Sequence, residues 1–206
     1  LLVIEVGSYV YALAFFVDPA TGAPRLASGS DDGKVRVFDP VAGGEALVVL
    51  DVGDSVQALA FFADPATGAP RLACGCYDGV RVFDPVAGGE ALLVIDVGAE
   101  VWALAVFADP ATGELRLACG CEDVRIYDPV AGDKALVMLE GHTKEVLALT
   151  VFEDQATGGL RLASGSEDRS VRVWDLAAGG AALFVLGGHA HWVLALTAFA
   201  DPATGE

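Results

Sequence analysis

The chain has 206 residues and a formal net charge of −17, from 12 basic and 29 acidic side chains. This charge repels the phosphate backbone of nucleic acids and anionic lipid surfaces, so we expect neither as a partner. The hydrophobic content of 54% is enough for a buried core and argues against disorder. No apolar stretch reaches the roughly 20 residues of a membrane-spanning helix, and no leader peptide is recognisable at Leu1.

An internal repeat organises the chain. The segments VYALAFF, VQALAFF, VWALAVF, VLALTVF and VLALTAF begin at Val10, Val56, Val101, Val146 and Val193, at intervals of 46, 45, 45 and 47 residues. Each interval holds four short segments that are rich in β-branched and aromatic residues and bounded by Gly, Pro or Asp turns, which predicts four strands. Because such a unit cannot bury both of its faces alone, we expect the units to stack around an axis as propeller blades.

In the first repeat the predicted strands are Val10 to Phe16, Arg25 to Ser30, Lys34 to Asp39 and Ala46 to Leu50, which we name strands A, B, C and D. The Pro and Gly residues of the loop DPATGAP after strand A, and of DPVAGGE after strand C, suit tight turns. Both loops are expected on one rim of the domain. No segment requires a helix.

The fold class predicted from this pattern is all-β, with four complete four-stranded blades and the first and last partial strands of another. A strand D-like segment lies at Leu1 to Glu5, and a strand A-like segment at Trp192 to Phe199. The predicted divisions are a partial repeat at 1–9, repeats at 10–55, 56–100, 101–145 and 146–192, and a partial repeat at 193–206. Three arrangements remain open: a fragment of a longer propeller, which we favour, a five-membered ring with an incomplete last blade, or two copies that complete one another.

The fourth repeat resembles the WD40 family. The resemblance is carried by EGHTKEVLALTVF from Glu140, LASGSEDRSVRVWD from Leu162 and AALFVL from Ala181. It implies a WD40-type β-propeller with a structural tetrad that stabilises the blade through buried hydrogen bonds. The tetrad residues would be His142, Ser164, Asp168 and Trp174, with Ser166 as the competing hydroxyl.

The first three repeats have lost part of this set. Phe38, Phe83 and Tyr127 replace the tryptophan, and the connector before strand A lacks a histidine. The aspartate remains as Asp32, Asp78 and Asp123, and we expect it to serve local turn hydrogen bonds there.

A Ser, a His and an Asp close together also suggest a hydrolase, but the resemblance buries this serine under the tryptophan. The chain has no G-x-S-x-G motif either, so we expect no enzyme. Four thiolates from two C-x-C pairs are a zinc alternative. The repeat alignment instead places Cys74 and Cys76 at the sites of Ser28 and Ser30, and Cys119 and Cys121 at those of Ser164 and Ser166. They are expected to be small buried residues, and no metal or cofactor is predicted.

Aspartates recur in the rim loops, at Asp18, Asp64, Asp109, Asp154 and Asp201 after strand A and at Asp39, Asp84, Asp128 and Asp175 after strand C. Turn capping explains single aspartates more simply than calcium binding does. The rim is expected to be acidic and able to steer a basic partner.

The positions that differ most between repeats flank the first valine of strand A or precede the turn aspartate. In WD40 proteins the matching positions lie on the top face, around the central channel, and contact partners. The predicted partner-binding residues are Tyr9, Tyr11, Gln57, Tyr77, Glu100, Trp102, Glu122, Glu145, Glu167 and Trp192. Tyr and Trp are favoured at binding hot spots, although these rings have packing between blades as an alternative role.

These features predict a non-catalytic scaffold that binds proteins with basic and apolar surfaces through the top face, and that self-associates through its open ends. One alternative is a structural segment that is permanently embedded in a large multiprotein assembly. Another is a small-ligand or enzymatic site in the central channel. The cysteines do not form the pattern of a secreted disulfide scaffold, so an intracellular, cytoplasmic location is expected.

Overall fold

The computed structural model describes residues 3–132 and 134–198. Within these ranges all regular secondary structure is β, in four antiparallel sheets of four strands each. The predicted all-β fold class is therefore confirmed. Nowhere in the described ranges is there a helix long and apolar enough to cross a membrane.

The chain divides into two compact units, at 1–101 and 102–206. Unit 1 contains two sheets in which each strand pairs with the next along the chain. The strands of the first sheet are β1 (Val10–Val17), β2 (Pro24–Ser30), β3 (Lys34–Phe38) and β4 (Val48–Asp51). Those of the second are β5 (Ala58–Ala63), β6 (Pro70–Cys76), β7 (Gly79–Phe83) and β8 (Leu93–Asp96).

Unit 2 has the same construction. Its first sheet consists of β9 (Ala103–Ala108), β10 (Leu115–Gly120), β11 (Val124–Tyr127) and β12 (Val137–Leu139). Its second consists of β13 (Val146–Asp154), β14 (Gly159–Ser166), β15 (Val171–Asp175) and β16 (Phe184–Leu186). The four strands of every sheet correspond to strands A to D. We call the end of a sheet where strand A starts and strand B turns into strand C its top end.

Neighbouring sheets within unit 1 join through strands A and B. The Phe16 ring stacks on Phe61 with centroids 4.8 Å apart. At the top end the Val56 amide donates to the Ser30 carbonyl at 3.1 Å. A Cβ on Gly29 would lie only 2.6 Å from Val56 Cγ1, so the glycine in the S-G-S sequence makes room for the first valine of the next repeat.

In the C-G-C sequence of the second sheet, the glycine likewise makes room for the valine that follows the sheet, Val101. A Cβ on Gly75 would lie 2.9 Å from both the carbonyl oxygen and Cγ1 of Val101. In unit 2, Gly120 meets Val146 and Gly165 meets Val193 in the same way. The glycine between two small residues of strand B is therefore a packing requirement of the repeat.

The two partial strands are not formed as predicted. Residues 3–5 and 192–198 have no regular secondary structure, whereas Leu1, Leu2 and Phe199 lie outside the described residues. A strand needs a paired neighbour to satisfy its backbone groups, and neither segment has one in a described sheet.

Candidate functional site

The structure brings the four tetrad residues of unit 2 together in one chain of hydrogen bonds. His142 lies in the connector before β13, and its Nδ1 is 2.8 Å from Asp168 Oδ2 in the turn after β14. His142 Nε2 lies 2.7 Å from Ser164 Oγ on β14. On β15, Trp174 Nε1 donates to the same Ser164 oxygen at 2.9 Å. Ser166, the competing hydroxyl, instead donates to the Lys144 carbonyl at 3.0 Å.

Burial and hydrogen bonding together set the protonation states of the tetrad side chains. Desolvation lowers the pKa of His142 below its ordinary value of 6.5, although the Asp168 carboxylate favours the charged form. Burial alone would raise the pKa of Asp168, but hydrogen bonds from Ser170 and His142 outweigh it and lower the pKa well below 3.8. At neutral pH a neutral His142 therefore donates from Nδ1 to Asp168 and accepts the Ser164 proton at Nε2.

The Ser164 hydroxyl is closed off from solvent. Ser164 and Trp174 each have 0% exposure, and the His142 side chain is equally inaccessible. A nucleophilic serine must reach its substrate beside donors for the developing oxyanion, whereas this hydroxyl is covered by the indole that donates to it.

In the three repeats without the histidine, an arginine on strand C takes its place beside the turn aspartate. Arg36 contacts Asp32 through two bonds of 3.1 and 2.6 Å. Arg81 pairs with Asp78 at 2.9 Å, and Arg125 Nε pairs with Asp123 at 2.8 Å. The expectation that these aspartates serve only local turn bonding was therefore incomplete.

The fourth repeat keeps an arginine at the same position, but its situation differs. Asp168 is already bonded to His142 and Ser170, and Arg172 Nε is buried with no hydrogen-bond partner within residues 3–132 and 134–198. The sequence contained a signal for the replacement of the histidine by an arginine. Every repeat has an arginine two residues before the aromatic position of strand C. The pairing needs the turn to fold the arginine back over the aspartate, which spacing alone does not reveal.

The serine of the first repeat that corresponds to Ser164 lacks the bonds that the tetrad provides. Ser28 on β2 pairs in register with Arg36, as Ser164 pairs with Arg172. Its Oγ is buried and has no hydrogen-bond partner among the described residues. Phe38 offers no N–H where the fourth repeat has the indole, so this hydroxyl remains unsatisfied.

The cysteines are buried thiols. All four are free, each with 0% exposure. Burial raises the pKa of Cys76 and of Cys121 to about 11 and raises the pKa of Cys74 and Cys119 further still. Protonated thiols are poor nucleophiles and poor metal ligands. In residues 3–132 and 134–198 no group of three or more His, Cys, Asp or Glu side chains is placed to hold a metal ion.

The rim opposite the top ends is less acidic than expected. The loop aspartates cap their own turns, as Asp39 does by accepting the amides of Val41 and Ala42 at 2.8 Å. An arginine at the start of each strand B also binds them. Arg25 lies 3.4 Å from Asp18 and 3.7 Å from Asp39. The equivalent arginines are Arg71, paired with Asp64 and Asp84, Arg116, paired with Asp109, and Arg161, paired with Asp154 and Asp175.

These ion pairs reduce the field that a basic partner would meet at the rim. Asp128 caps its turn through the amides of Val130 and Ala131. Asp201 lies outside the described residues.

At the top end of unit 1 the predicted partner-binding aromatics are exposed. Tyr9, Tyr11 and Tyr77 have 73%, 50% and 67% of their surface accessible, and the Tyr9 and Tyr11 rings stack 6.5 Å apart. Gln57 and Glu100 hold the repeat positions that correspond to Tyr11 and Tyr9, and both are half-buried.

A polar network joins the top ends of the two sheets of unit 1. Gln57 Nε2 donates to Ser55 Oγ, which donates to Asp31, both at 3.2 Å. Desolvation, together with the charge and hydrogen bond of Asp31, raises the pKa of Tyr11. The carboxylate is thus held next to an exposed aromatic ring.

The top end of unit 2 is more acidic. Glu122 is exposed, and Glu145 and Glu167 are half-buried. Desolvation and a hydrogen bond with Glu145 raise the pKa of Glu167, whose amide donates to the Glu145 carbonyl at 3.0 Å. Trp192 has 57% exposure, whereas Trp102 is half-buried and offers only part of its ring.

Comparisons with known proteins agree with this architecture. The family model for the WD40 repeat, described as WD domain, G-beta repeat, matches residues 4–39 and 133–175. The second match contains all four tetrad residues. Two segments of the chain thus match the WD40 repeat, and the predicted resemblance to the WD40-repeat β-propeller family is confirmed.

A solved structure extends the likeness beyond these two segments. The crystal structure of the computationally designed Ika4 protein is similar to this chain with a TM-score of 0.61 and 27% sequence identity, covering 83% of this chain and 93% of that one. A comparison with curated proteins gives no match.

Proposed function

We propose that the chain is a non-catalytic scaffold that binds other proteins through the top ends of its sheets. The observation that carries this proposal is the set of exposed tyrosines beside fixed carboxylates in unit 1. WD40 repeats in general serve as protein-interaction scaffolds, which supports the same class of function.

The proposal of no enzymatic activity rests on the chemistry of the candidate groups. The hydroxyl beside a histidine and an aspartate is buried under Trp174, and the thiols are protonated at neutral pH. Among the turn carboxylates, Asp39 accepts a backbone amide and Asp32 is paired with Arg36. None of these groups offers an activated nucleophile to a substrate in solution.

The chemistry of the top ends defines the expected partner. Tyrosine rings bury a large apolar area at low entropic cost and keep a polar group for hydrogen bonding. The acidic side chains around them favour Lys and Arg on the other side. We therefore propose a partner segment with apolar side chains flanked by basic residues.

Fluorescence anisotropy with labelled synthetic peptides tests this proposal. The probe is a set of peptides in which Leu or Phe is flanked by Lys or Arg, compared with the same peptides carrying Glu at the basic positions. We expect the basic peptides alone to bind, with affinity that falls as NaCl rises from 50 to 500 mM.

Variants locate the binding surface. Tyr77→Ala should weaken binding by at least about tenfold, as expected for a hot-spot residue. Leu92→Ala is the matched control, because Leu92 is also exposed, at 56%, but lies in the C–D connection, away from the top end. Equal affinity of both variants and of the parent chain would overturn the proposed surface.

A further inference from the structure

One side of β1 is an exposed apolar surface. Side chains alternate across a strand, so Leu13, Phe15 and Val17 share one side of the first sheet of unit 1. Their exposures are 63%, 62% and 51%, whereas Phe16 on the other side is 2% exposed. Three large apolar residues in a row on one strand face mark a surface that is suited to packing.

The second sheet of unit 1 shows what covers the same surface elsewhere. By repeat alignment, Leu59 and Phe61 on β5 correspond to Leu13 and Phe15. Both are partly buried against the core that contains Phe16, and the Phe16 and Phe61 rings stack 4.8 Å apart at 8°. The natural cover for this side of a strand A is therefore the opposite side of another strand A.

Unit 2 carries an exposed surface of that complementary kind. Val193 starts its segment as a strand A starts, because its amide donates to the Ser166 carbonyl at 3.1 Å, as the Val56 amide does to Ser30. Leu196 packs against the buried cluster around Val193. Ala195 and Thr197, on either side of Leu196 in the sequence, are exposed. In an extended conformation they would lie on the side opposite Leu196.

Small residues make that side of the segment suitable as a cover. Ala195 and Thr197 correspond to Ala12 and Ala14, which occupy the covering side of β1 together with Phe16. Ala14 is partly buried against the core it shares with Leu59 and Phe61. Residues 192–198 therefore offer the backbone approach and the side-chain sizes that the exposed side of β1 accepts.

We propose that the side of β1 formed by Leu13, Phe15 and Val17 is a self-association surface that docks residues 192–198 of a second copy of this chain. Both complementary surfaces belong to one chain, so a second copy supplies everything that the contact needs. If each of two copies uses both of its surfaces to bind the other, the result is a closed dimer. If the contacts do not close in this way, head-to-tail binding produces larger oligomers. The docked segment begins with Trp192, one of the predicted partner-binding residues, whereas Tyr77, on which the peptide-binding test rests, lies outside this contact.

Light scattering coupled to size-exclusion chromatography, at 1 to 200 µM chain, tests the proposal. We expect the mass to rise from 21.1 kDa towards twice that value with concentration. Because each copy carries a charge of −17, raising NaCl should tighten the association by screening repulsion. This dependence is opposite to that expected for the basic peptides, so the two proposals fail separately.

Substitutions on both sides identify the contact. Phe15→Glu and Thr197→Glu should each raise the dissociation constant of self-association at least tenfold. Val94→Glu is the control, because Val94 is 59% exposed on β8 but lies outside the contact. Circular dichroism establishes that each variant is folded, and since the two test variants lie in different units, the misfolding of one leaves the other informative.

A mixture of Phe15→Lys with Thr197→Glu chains should associate more tightly than either variant alone. A mass of 21.1 kDa at every concentration would overturn the proposal. So would an association that Val94→Glu weakens as much as Phe15→Glu does.

Discussion

The alanine substitution at Ser164 should destabilise the protein strongly, whereas the same substitution at Ser28 should not. Ser164 Oγ accepts the Trp174 indole proton at 2.9 Å and lies 2.7 Å from His142 Nε2. Ser164→Ala would leave two buried polar groups without partners. Ser28 Oγ occupies the same position in the first repeat but has no hydrogen-bond partner to lose in the part of the chain that the structure describes.

The magnitudes follow from the hydrogen-bond inventory. An unsatisfied buried group costs about 1–3 kcal/mol, so Ser164→Ala should lower the free energy of unfolding by about 2–4 kcal/mol. In a domain of about 100 residues each kcal/mol changes Tm by roughly 4–8 °C, so a fall of about 10 °C or more is expected. Ser28→Ala removes an unsatisfied hydroxyl and should leave stability unchanged or raise it by up to about 1 kcal/mol.

Urea unfolding followed by tryptophan fluorescence measures the Ser164 effect directly, because Trp174 lies in the perturbed network. Differential scanning calorimetry gives the Tm of both variants without relying on that probe. Equal destabilisation by the two substitutions would refute the reasoning, because it would mean that the hydrogen bonds of the tetrad contribute nothing beyond side-chain packing.

Three further perturbations are informative. The free energy of unfolding should fall as the pH drops below 6.5, because His142 takes up a proton in the unfolded chain before it does so in the folded chain. Chemical denaturation at pH 7.5 and 5.5 measures this fall, with His142→Gln as the reference. Gly75→Ala should cost about 1–3 kcal/mol by overpacking, whereas Gly187→Ala, which meets nothing within 4 Å, should be neutral in thermal scans. Arg36→Met should destabilise the protein by about 1 kcal/mol and Arg172→Met by less, because only Arg36 forms two hydrogen bonds with an aspartate. Equal effects of the two substitutions in urea unfolding would count against a stabilising role of the Arg36–Asp32 pair.

The periodic pattern was sufficient to predict the sheets. Strands of the first repeat lie within two residues of their predicted bounds, as with Val48–Asp51 against Ala46 to Leu50. Regular turn chemistry and apolar segments at a constant interval determine this local structure. The segments at the two ends were wrong as strands, because strand formation depends on a hydrogen-bonded neighbour and not on composition alone.

The candidate sites were harder to predict from the sequence than the sheets were. The tetrad came from resemblance, and the structure places its four side chains in contact. The arginine–aspartate pairs were missed because they depend on the conformation of the turn between strands B and C, which brings the arginine of strand C over the turn aspartate. The exposed fraction of each aromatic residue at the top ends also depends on packing. Tyr77 is 67% exposed, whereas Trp102 is half-buried.

Hydrogen–deuterium exchange of the chain with and without a bound basic peptide tests the proposed scaffold function most directly. We predict slower exchange at the top ends, in peptides that contain Tyr9 to Tyr11 and the turn around Tyr77, and no change in the outer strand β8. Protection confined to the outer strands or to the rim loops around Asp39 and Asp84, with none at the top ends, would contradict the account.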